Sequence, residues 1–314
     1  MIALEHVTKR YGDAPAAVDD VSLEIAKGET FVLIGPSGCG KSTLLRMINR
    51  LVEPTGGAVR VDGRDVRQLD AAVLRRGIGY VIQDVGLFAH QTVRRNIATV
   101  PRLLGWDEAR IAKRVDELLA LVQLDPATFG ERYPRELSGG QRQRVGIARA
   151  LAADPSVVLL DEPFGALDPI TREKLQDEFI SLSRSLAKTF VIVTHDMFEA
   201  VRLGHRIGVM KSGRLVQCAP PREIVRSPAE AFVAELLGRH RYQLLLMTAR
   251  VTDVARALTP AADLAAVEVA GDATVWHALE RMAEANVGAV RIGRDGAIHR
   301  REDLVSAASA GDAS

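Results

Sequence analysis

Cysteine is nearly absent from this 314-residue chain, which has only Cys39 and Cys218. Two thiols cannot build the disulfide framework of a small secreted scaffold, and their scarcity agrees with a reducing compartment. Aromatic residues are also few, at 4% of the chain, and none cluster, so no aromatic cage for an organic cation is on offer. Charge is balanced to a net +1, which excludes a global pull toward nucleic acid or an anionic membrane surface. Long apolar runs are missing too. With no stretch of about 18 apolar residues and no basic-then-apolar leader, the chain is expected neither to span a membrane nor to carry a secretory signal. Any work at a membrane then depends on a partner. What is present, 47% hydrophobic and 26% charged residues, suffices for one large globular domain and a small second one.

The most informative stretch is Gly35-Pro36-Ser37-Gly38-Cys39-Gly40-Lys41-Ser42-Thr43. Thr30 to Ile34 before it form a short apolar run suited to a buried strand, and Leu44, Leu45 and Ile48 after it fall at helical spacing. A glycine-rich loop between a strand and a helix is a P-loop, a cradle for phosphate. Gly35, Gly38 and Gly40 let backbone N–H groups curl round an anion, the helix start adds partial positive charge, and Lys41 reaches the outer phosphates. Ser42 offers its hydroxyl to Mg²⁺, and Cys39 reads as a small loop residue.

Residues 2–34 alternate apolar and polar positions, with turn signals at Gly12-Asp13 and Lys27-Gly28, which predicts antiparallel strands before the P-loop. Tyr11, at the first turn, is either a ring for stacking on a base or a half-buried turn tyrosine. Gly56 to Gly63 read as a strand and turn, Asp70 to Arg76 as a short helix, and Ile78 to Ile82 as a strand ending at Gln83. A helical segment follows, in which Ile111, Val115, Leu118, Leu119 and Val122 form one apolar core stripe. Leu137-Ser138-Gly139-Gly140-Gln141 then opens a helix expected to run to about Ala153 and to stop before Pro155. Ser138 is a good N-cap, and the paired glycines leave backbone donors approachable, which makes a second anion site.

Val157 to Leu160 form a fully apolar strand, as in the middle of a parallel sheet, ending in Asp161-Glu162. Ligands in open α/β sheets bind at the C-terminal ends of strands, so Asp161 is placed to hold Mg²⁺ and Glu162 to take a proton from water. Gly165 to Asp168 lead into a helix with Leu175, Phe179, Leu182 and Leu186 on its apolar face. Phe190 to Val193 form another buried strand, followed by Thr194 and His195.

Gly-x-x-x-x-Gly-Lys-Ser, Gln83, Leu-Ser-Gly-Gly-Gln, Asp161-Glu162, Ala166-Leu167-Asp168 and His195 stand in the order and spacing of the ABC-transporter ATPases, which residues 1–238 resemble. The resemblance implies an α/β fold, a P-loop NTPase cassette with an antiparallel β subdomain and a helical subdomain over about 84–153. It implies ATP and Mg²⁺, with Gly35 to Thr43 on the phosphates, Tyr11 on the adenine, and Ser42, Gln83 and Asp161 at the metal. Glu162, as general base, His195, holding the γ-phosphate, and Gln83 make up the implied catalytic set. Ser138, Gly139, Gly140, Gln141 and Asp168 imply a head-to-tail homodimer, because in this family the signature of one subunit closes on the ATP held by the other. The region from Gln83 to Val93 resembles the groove that receives a permease coupling helix. Leu87 and Phe88 are its anchors or plain packing residues, and Ala89 stands where proline is usual.

Ile82 to Phe88 and Ile97 to Trp106 are similar to the ATPases of quaternary-amine importers, those for glycine betaine, choline, carnitine and similar osmoprotectants. With no aromatic cage in this chain, recognition of such a solute falls to a membrane permease and an extracytoplasmic solute-binding protein. The implied place is the cytoplasmic face of the inner membrane, peripheral through the permease, with no role for nucleic acid. An importer for another small solute, such as an amino acid, is the alternative. A non-transport ABC ATPase would usually carry a coiled-coil insertion or a second cassette, and this sequence has neither.

In residues 239–314, Arg239 to Ala270 show no clean period beyond apolar patches, and Thr274 to Ala285 read as a helix with Val275, Leu279 and Met282 on one face. Gly288 to Ile292 pair with Ala297 to His299 across Asp295-Gly296, a hairpin signal, and Glu302-Asp303 start a helix. This order looks like half of a CBS module, either a sensor or a degenerate packing domain.

Overall fold

A computed structural model describes residues 1–256, 258–261, 264–293 and 296–310, in two units that divide between Cys218 and Ala219. The boundary expected at Gly238 lies inside the second unit.

In the first unit, β1 (Ile2–Lys9) and β2 (Val18–Ile25) pair antiparallel, with Ile2, Leu4, Val7, Val21, Leu23 and Ile25 buried. β3 (Thr30–Ile34) is buried along its whole length and feeds α1 (Lys41–Ile48). β4 (Gly56–Val61) pairs with the other edge of β1 and turns into β5 (Arg64–Asp65), giving the sheet order β2-β1-β4-β5. α2 (Ala71–Arg76) starts at Asp70, whose carboxylate accepts from the N–H groups of Ala72 and Val73, and leads to β6 (Ile78–Val81). The helical segment follows as α3 (Val93–Leu103), α4 (Glu108–Leu121), α5 (Pro126–Phe129) and α6 (Gly139–Leu151). The expected stripe on α4 is buried, Val122 included at its C-cap. α6 ends at Leu151, short of the expected Ala153.

β7 (Val157–Asp161), α7 (Pro169–Leu186), β8 (Thr189–Thr194), α8 (Met197–Leu203), β9 (Arg206–Lys211) and β10 (Arg214–Ala219) complete the second sheet, ordered β10-β9-β3-β8-β7-β6. From β9 to β6 the neighbours are all parallel. Their registers place Ile34 beside Thr194 and Asp161 beside Val193. The C-terminal ends of β3, β8, β7 and β6 therefore lie side by side along one edge, and that edge carries the site. Val7, Val21, Phe31, Leu33 and Leu45 belong to a core shared by the two sheets. Phe164, Phe179 and Phe190 stack edge to face at 6.1 and 5.1 Å, supporting β8 from α7.

The second unit holds α9 (Pro221–Arg226), α10 (Ala231–Leu237), α11 (Arg241–Thr248), α12 (Val251–Ala255), β11 (Ala266–Val269), α13 (Val275–Glu284), β12 (Ala289–Ile292), β13 (Ile298–Arg300) and α14 (Arg301–Ala310). Among the described residues its sheet runs β11-β12-β13, with β11 parallel to β12 across α13 and β12 antiparallel to β13. The predicted helix over Thr274–Ala285 and the strand pair are present, while Asp295 of the turn lies outside the described residues. Arg239 to Ala270, without a clean period in the sequence, contain α11, α12 and β11, which bury Leu244, Leu245, Val251, Val254 and Val269. These elements have 8, 5 and 4 residues, too few turns for an apolar period to show in sequence.

Candidate functional site

The P-loop takes its shape from two glycines that admit no substitute. Gly35 (φ 154°) and Gly40 (φ 106°) sit so close to other backbone that a Cβ would come within 2.2 Å of the Met210 carbonyl oxygen and 2.1 Å of that of Ala17. α1 begins at Gly40 with no side-chain cap and no acidic residue in its first turn, which leaves its leading N–H groups to a bound anion. Lys41 is only 5% exposed, and its Nζ donates to the carbonyls of Gly35 (2.6 Å) and Pro36 (3.0 Å). Cys39 is buried beneath the loop, its Sγ 3.8 Å from Nζ, whereas Pro36, Ser37 and Gly38 form the exposed tip.

Two strands away, Asp161 ends β7 almost fully buried. Its Oδ1 accepts a 2.8 Å bond from the Ser42 hydroxyl, and its Oδ2 lies 3.4 Å from Nη2 of Arg46 on α1. A hydroxyl and a buried carboxylate beside a phosphate cradle are hard oxygen donors, a set that fits Mg²⁺. Glu162 follows at φ 48°, in the left-handed region, where its N–H is held by the Val193 carbonyl at 2.9 Å. That turn brings Glu162 Oε2 to 3.2 Å from Nδ1 of His195, the residue after β8, and both side chains remain open to solvent.

Lys41, Ser42, Asp161, Glu162 and His195 are thus gathered along one edge. Gln83, exposed just beyond β6, stands at the next strand end. Its loop passes through Val85 and Gly86 at positive φ, and Arg149 of α6 donates to their carbonyls at 2.7 and 2.6 Å. Burial lowers the pKa of that guanidinium.

The remaining predicted residues stand apart from this set, with no hydrogen bond to it. Tyr11 is 51% exposed, with Lys9 Nζ 4.9 Å from its ring centroid. Ser138 and Gln141 spend their side chains on each other as a capping box, Gln141 N–H to Ser138 Oγ at 3.3 Å and Ser138 N–H to Gln141 Oε1 at 2.9 Å. Gly140 lets α6 approach α7, where a Cβ would meet Thr171 Cγ2 at 2.7 Å. Asp168 caps α7 by accepting from Thr171 N–H at 3.0 Å.

Four charged residues here were not expected from the sequence. Arg46, at i+4 from Ser42, was within reach of a helical-spacing argument. Arg149 and Arg172 carry no signal, because their hydrogen-bond partners are backbone carbonyls. Glu199 stands three residues after the N-cap Asp196 and reads as a capping-box glutamate. Instead its carboxyl is buried, Oε1 has no partner, and its pKa is pushed up to about 8, first by burial and then by Asp196.

A P-loop on β3 joined through a serine to an acidic strand end on β7 defines a P-loop nucleoside triphosphatase. Residues 18–165 match the family described as ABC transporter. The osmoprotectant import ATP-binding protein OsmV of Salmonella typhimurium is 52% identical over 81% of this chain and 68% of its own length. The glycine betaine/carnitine/choline transport ATP-binding protein OpuCA of Bacillus subtilis is 48% identical over 93% of this chain and 75% of its own. Among solved structures, the dimeric post-hydrolysis state of the ATP-binding cassette MJ0796 with ADP and Pi superposes with a TM-score of 0.63 at 37% identity, covering 70% of this chain and 98% of that one. The chain belongs to the ABC-transporter ATP-binding family and is an ATPase that uses ATP with Mg²⁺. Among the described residues no helix is long and apolar enough to cross a membrane.

Proposed function

We propose that this ATPase powers the import of a quaternary-amine osmoprotectant of the glycine betaine, choline or carnitine type, as a head-to-tail homodimer seated on a membrane permease at the cytoplasmic face of the inner membrane. The observation that carries the solute class is the reach of the similarity to OpuCA, 93% of this chain, which runs into the C-terminal unit and so exceeds the shared cassette. A groove of about 300 Å³, walled by Arg75, Arg76, Ile82, Phe88 and Val100, supports docking of a permease helix, and exposed Ile82 and Phe88 suit anchors there. Solute recognition belongs to the permease and an extracytoplasmic binding protein.

In this reading the N–H groups of Gly35 to Thr43 bind the phosphates, and the Lys41 ammonium exchanges its two loop carbonyls for phosphate oxygens. Ser42, Asp161 and Gln83 would hold Mg²⁺, which neutralises phosphate charge when bound. Glu162 takes a proton from the attacking water at its carboxylate. His195 orients that carboxylate through Nδ1 and keeps Nε2 for the γ-phosphate. Tyr11 stacks on the adenine. Ser138 to Gln141 and Asp168 complete the site from the second subunit, with the Ser138–Gln141 box opening to contact phosphate. For the chain as a whole we propose a cassette over 1–238, with its helical subdomain at 84–153, and a CBS-like half module over 239–314. The order β11-α13-β12-β13-α14 supports the latter.

The test is ATP hydrolysis by the complex reconstituted with its permease and binding protein. Glycine betaine, choline or carnitine should stimulate turnover. Stimulation by an amino acid or a sugar, with none by these amines, would sink the solute class and leave the ATPase reading standing.

A further inference from the structure

We infer that Arg172 is a positioning residue for hydrolysis, a clamp between the loop that carries Glu162 and Asp168 and the loop that carries His195. Arg172 lies in the first turn of α7 and turns back over the loop before it. Its Nη2 donates to the Leu167 carbonyl at 3.0 Å and, at the limit of bonding range, to the Gly165 carbonyl at 3.5 Å. Its Nη1 stands 3.9 Å from Oδ2 of Asp196, an ion-pair distance without a hydrogen bond. Asp196 directly follows His195 and uses its other oxygen to cap α8, accepting from Phe198 N–H at 2.8 Å and Glu199 N–H at 3.2 Å. One guanidinium therefore touches both loops that supply the hydrolytic pair. It reaches no reacting group itself.

The loop needs an external tie. Glu162 sits at φ 48°, and the local bonds beyond it are long, Gly165 N–H to the Glu162 carbonyl at 3.2 Å and Leu167 N–H to the Phe164 carbonyl at 3.3 Å. A planar fork with five donors can serve two carbonyls and a carboxylate in fixed directions, which a lysine ammonium cannot. The helices do not need the clamp to stay together. α7 and α8 are also joined by Arg202, to Asp177 at 2.6 Å and to Gln176 at 3.2 Å, and α7 is anchored by Phe179 between Phe164 and Phe190. Arg172 Nε is buried without a partner, as is Oε1 of Glu199, so one donor of the guanidinium is committed to neither loop.

The inference rests on Glu162 and His195 acting in ATP hydrolysis, and the experiment separates the two. Kinetics of ATP hydrolysis, ATP affinity and melting temperature are measured on the full chain for R172Q, R172K, D196N and R172Q/D196N, with E162Q alongside; asparagine keeps the α8 cap. R172Q should lower kcat roughly 10- to 100-fold, the scale of a misplacement near 1 Å, with KM for ATP and the melting temperature little changed. R172K should recover only part of the loss, and the double variant should lose no more than the worse single one. Wild-type kcat in R172Q, a loss carried by KM or by unfolding, or additive losses in the double variant would each overturn the clamp. If E162Q is inactive while R172Q turns over normally, the clamp alone fails. If E162Q keeps wild-type turnover, the assignment of the hydrolytic pair fails instead.

Discussion

Nδ1 of His195 and Oε2 of Glu162 lie 3.2 Å apart, each on the first residue beyond its strand, β8 and β7, which are parallel neighbours. Strand spacing of about 4.8 Å brings the two loops within reach, and the left-handed turn at Glu162 closes the remaining gap. The pair is thus set by where two strands stop. A one-residue slip of β8 against β7 would take His195 out of register with Glu162.

Glu162→Gln keeps the size of the side chain and removes its basicity. Hydrolysis should fall roughly 10²- to 10⁴-fold, while ATP affinity stays near wild type because the cradle and Lys41 are untouched. Phosphate release and nucleotide titration on the same preparation check this. Near wild-type turnover would remove Glu162 from the chemistry.

Gly40→Ala and Gly38→Ala should differ sharply although both glycines have positive φ. At Gly40 a Cβ strikes the Ala17 carbonyl at 2.1 Å, whereas at Gly38 nothing lies within 4 Å. Gly40→Ala is expected to cost at least about 2 kcal/mol of stability and to abolish ATP binding, Gly38→Ala only about 1 kcal/mol. Urea unfolding midpoints decide between them, and equal shifts would contradict the close approach.

Glu199 makes stability fall with rising pH. Its carboxyl, at about 8 in the folded chain against an ordinary 4.5, faces Asp196 on α8, Thr194 on β8, Arg172 on α7 and Glu162 after β7. A raised value means the folded state keeps a proton that the unfolded chain has already lost. The contribution is complete below about pH 4.5, declines as pH rises, and is gone above about pH 8. Glu199→Gln, neutral throughout, should therefore gain on wild type between pH 5 and pH 8, by on the order of 2 to 4 kcal/mol. Melting temperatures across that range test the slope, and a difference that does not change with pH would refute the assignment.

The sequence disclosed features whose cause is local. The P-loop announced itself by glycine spacing after an apolar run, Ser138 as an N-cap before a paired glycine, and the α4 stripe by its period, because each depends on residues a few positions apart. Arg149 and Arg172 stayed hidden because a backbone carbonyl has no residue type to recognise, and the one side chain facing Arg172, that of Asp196, stands beyond the next strand. Glu199 was hidden by a good local explanation, since a glutamate three residues after an N-cap is what a capping box uses. In the second unit, α11 and α12 were missed because helices of 8 and 5 residues bury a few leucines and valines without completing a pattern.

The side-by-side ends of β3, β8, β7 and β6 have a metric consequence. Three strand steps separate the loop of Lys41 from that of Gln83, roughly 14 Å at about 4.8 Å per step. Hydrogen-bonded backbone fixes that interval, so the sheet is a gauge with marks at the cradle, His195, Glu162 and Gln83. A ligand anchored at the first mark is sized by how many of the others it meets.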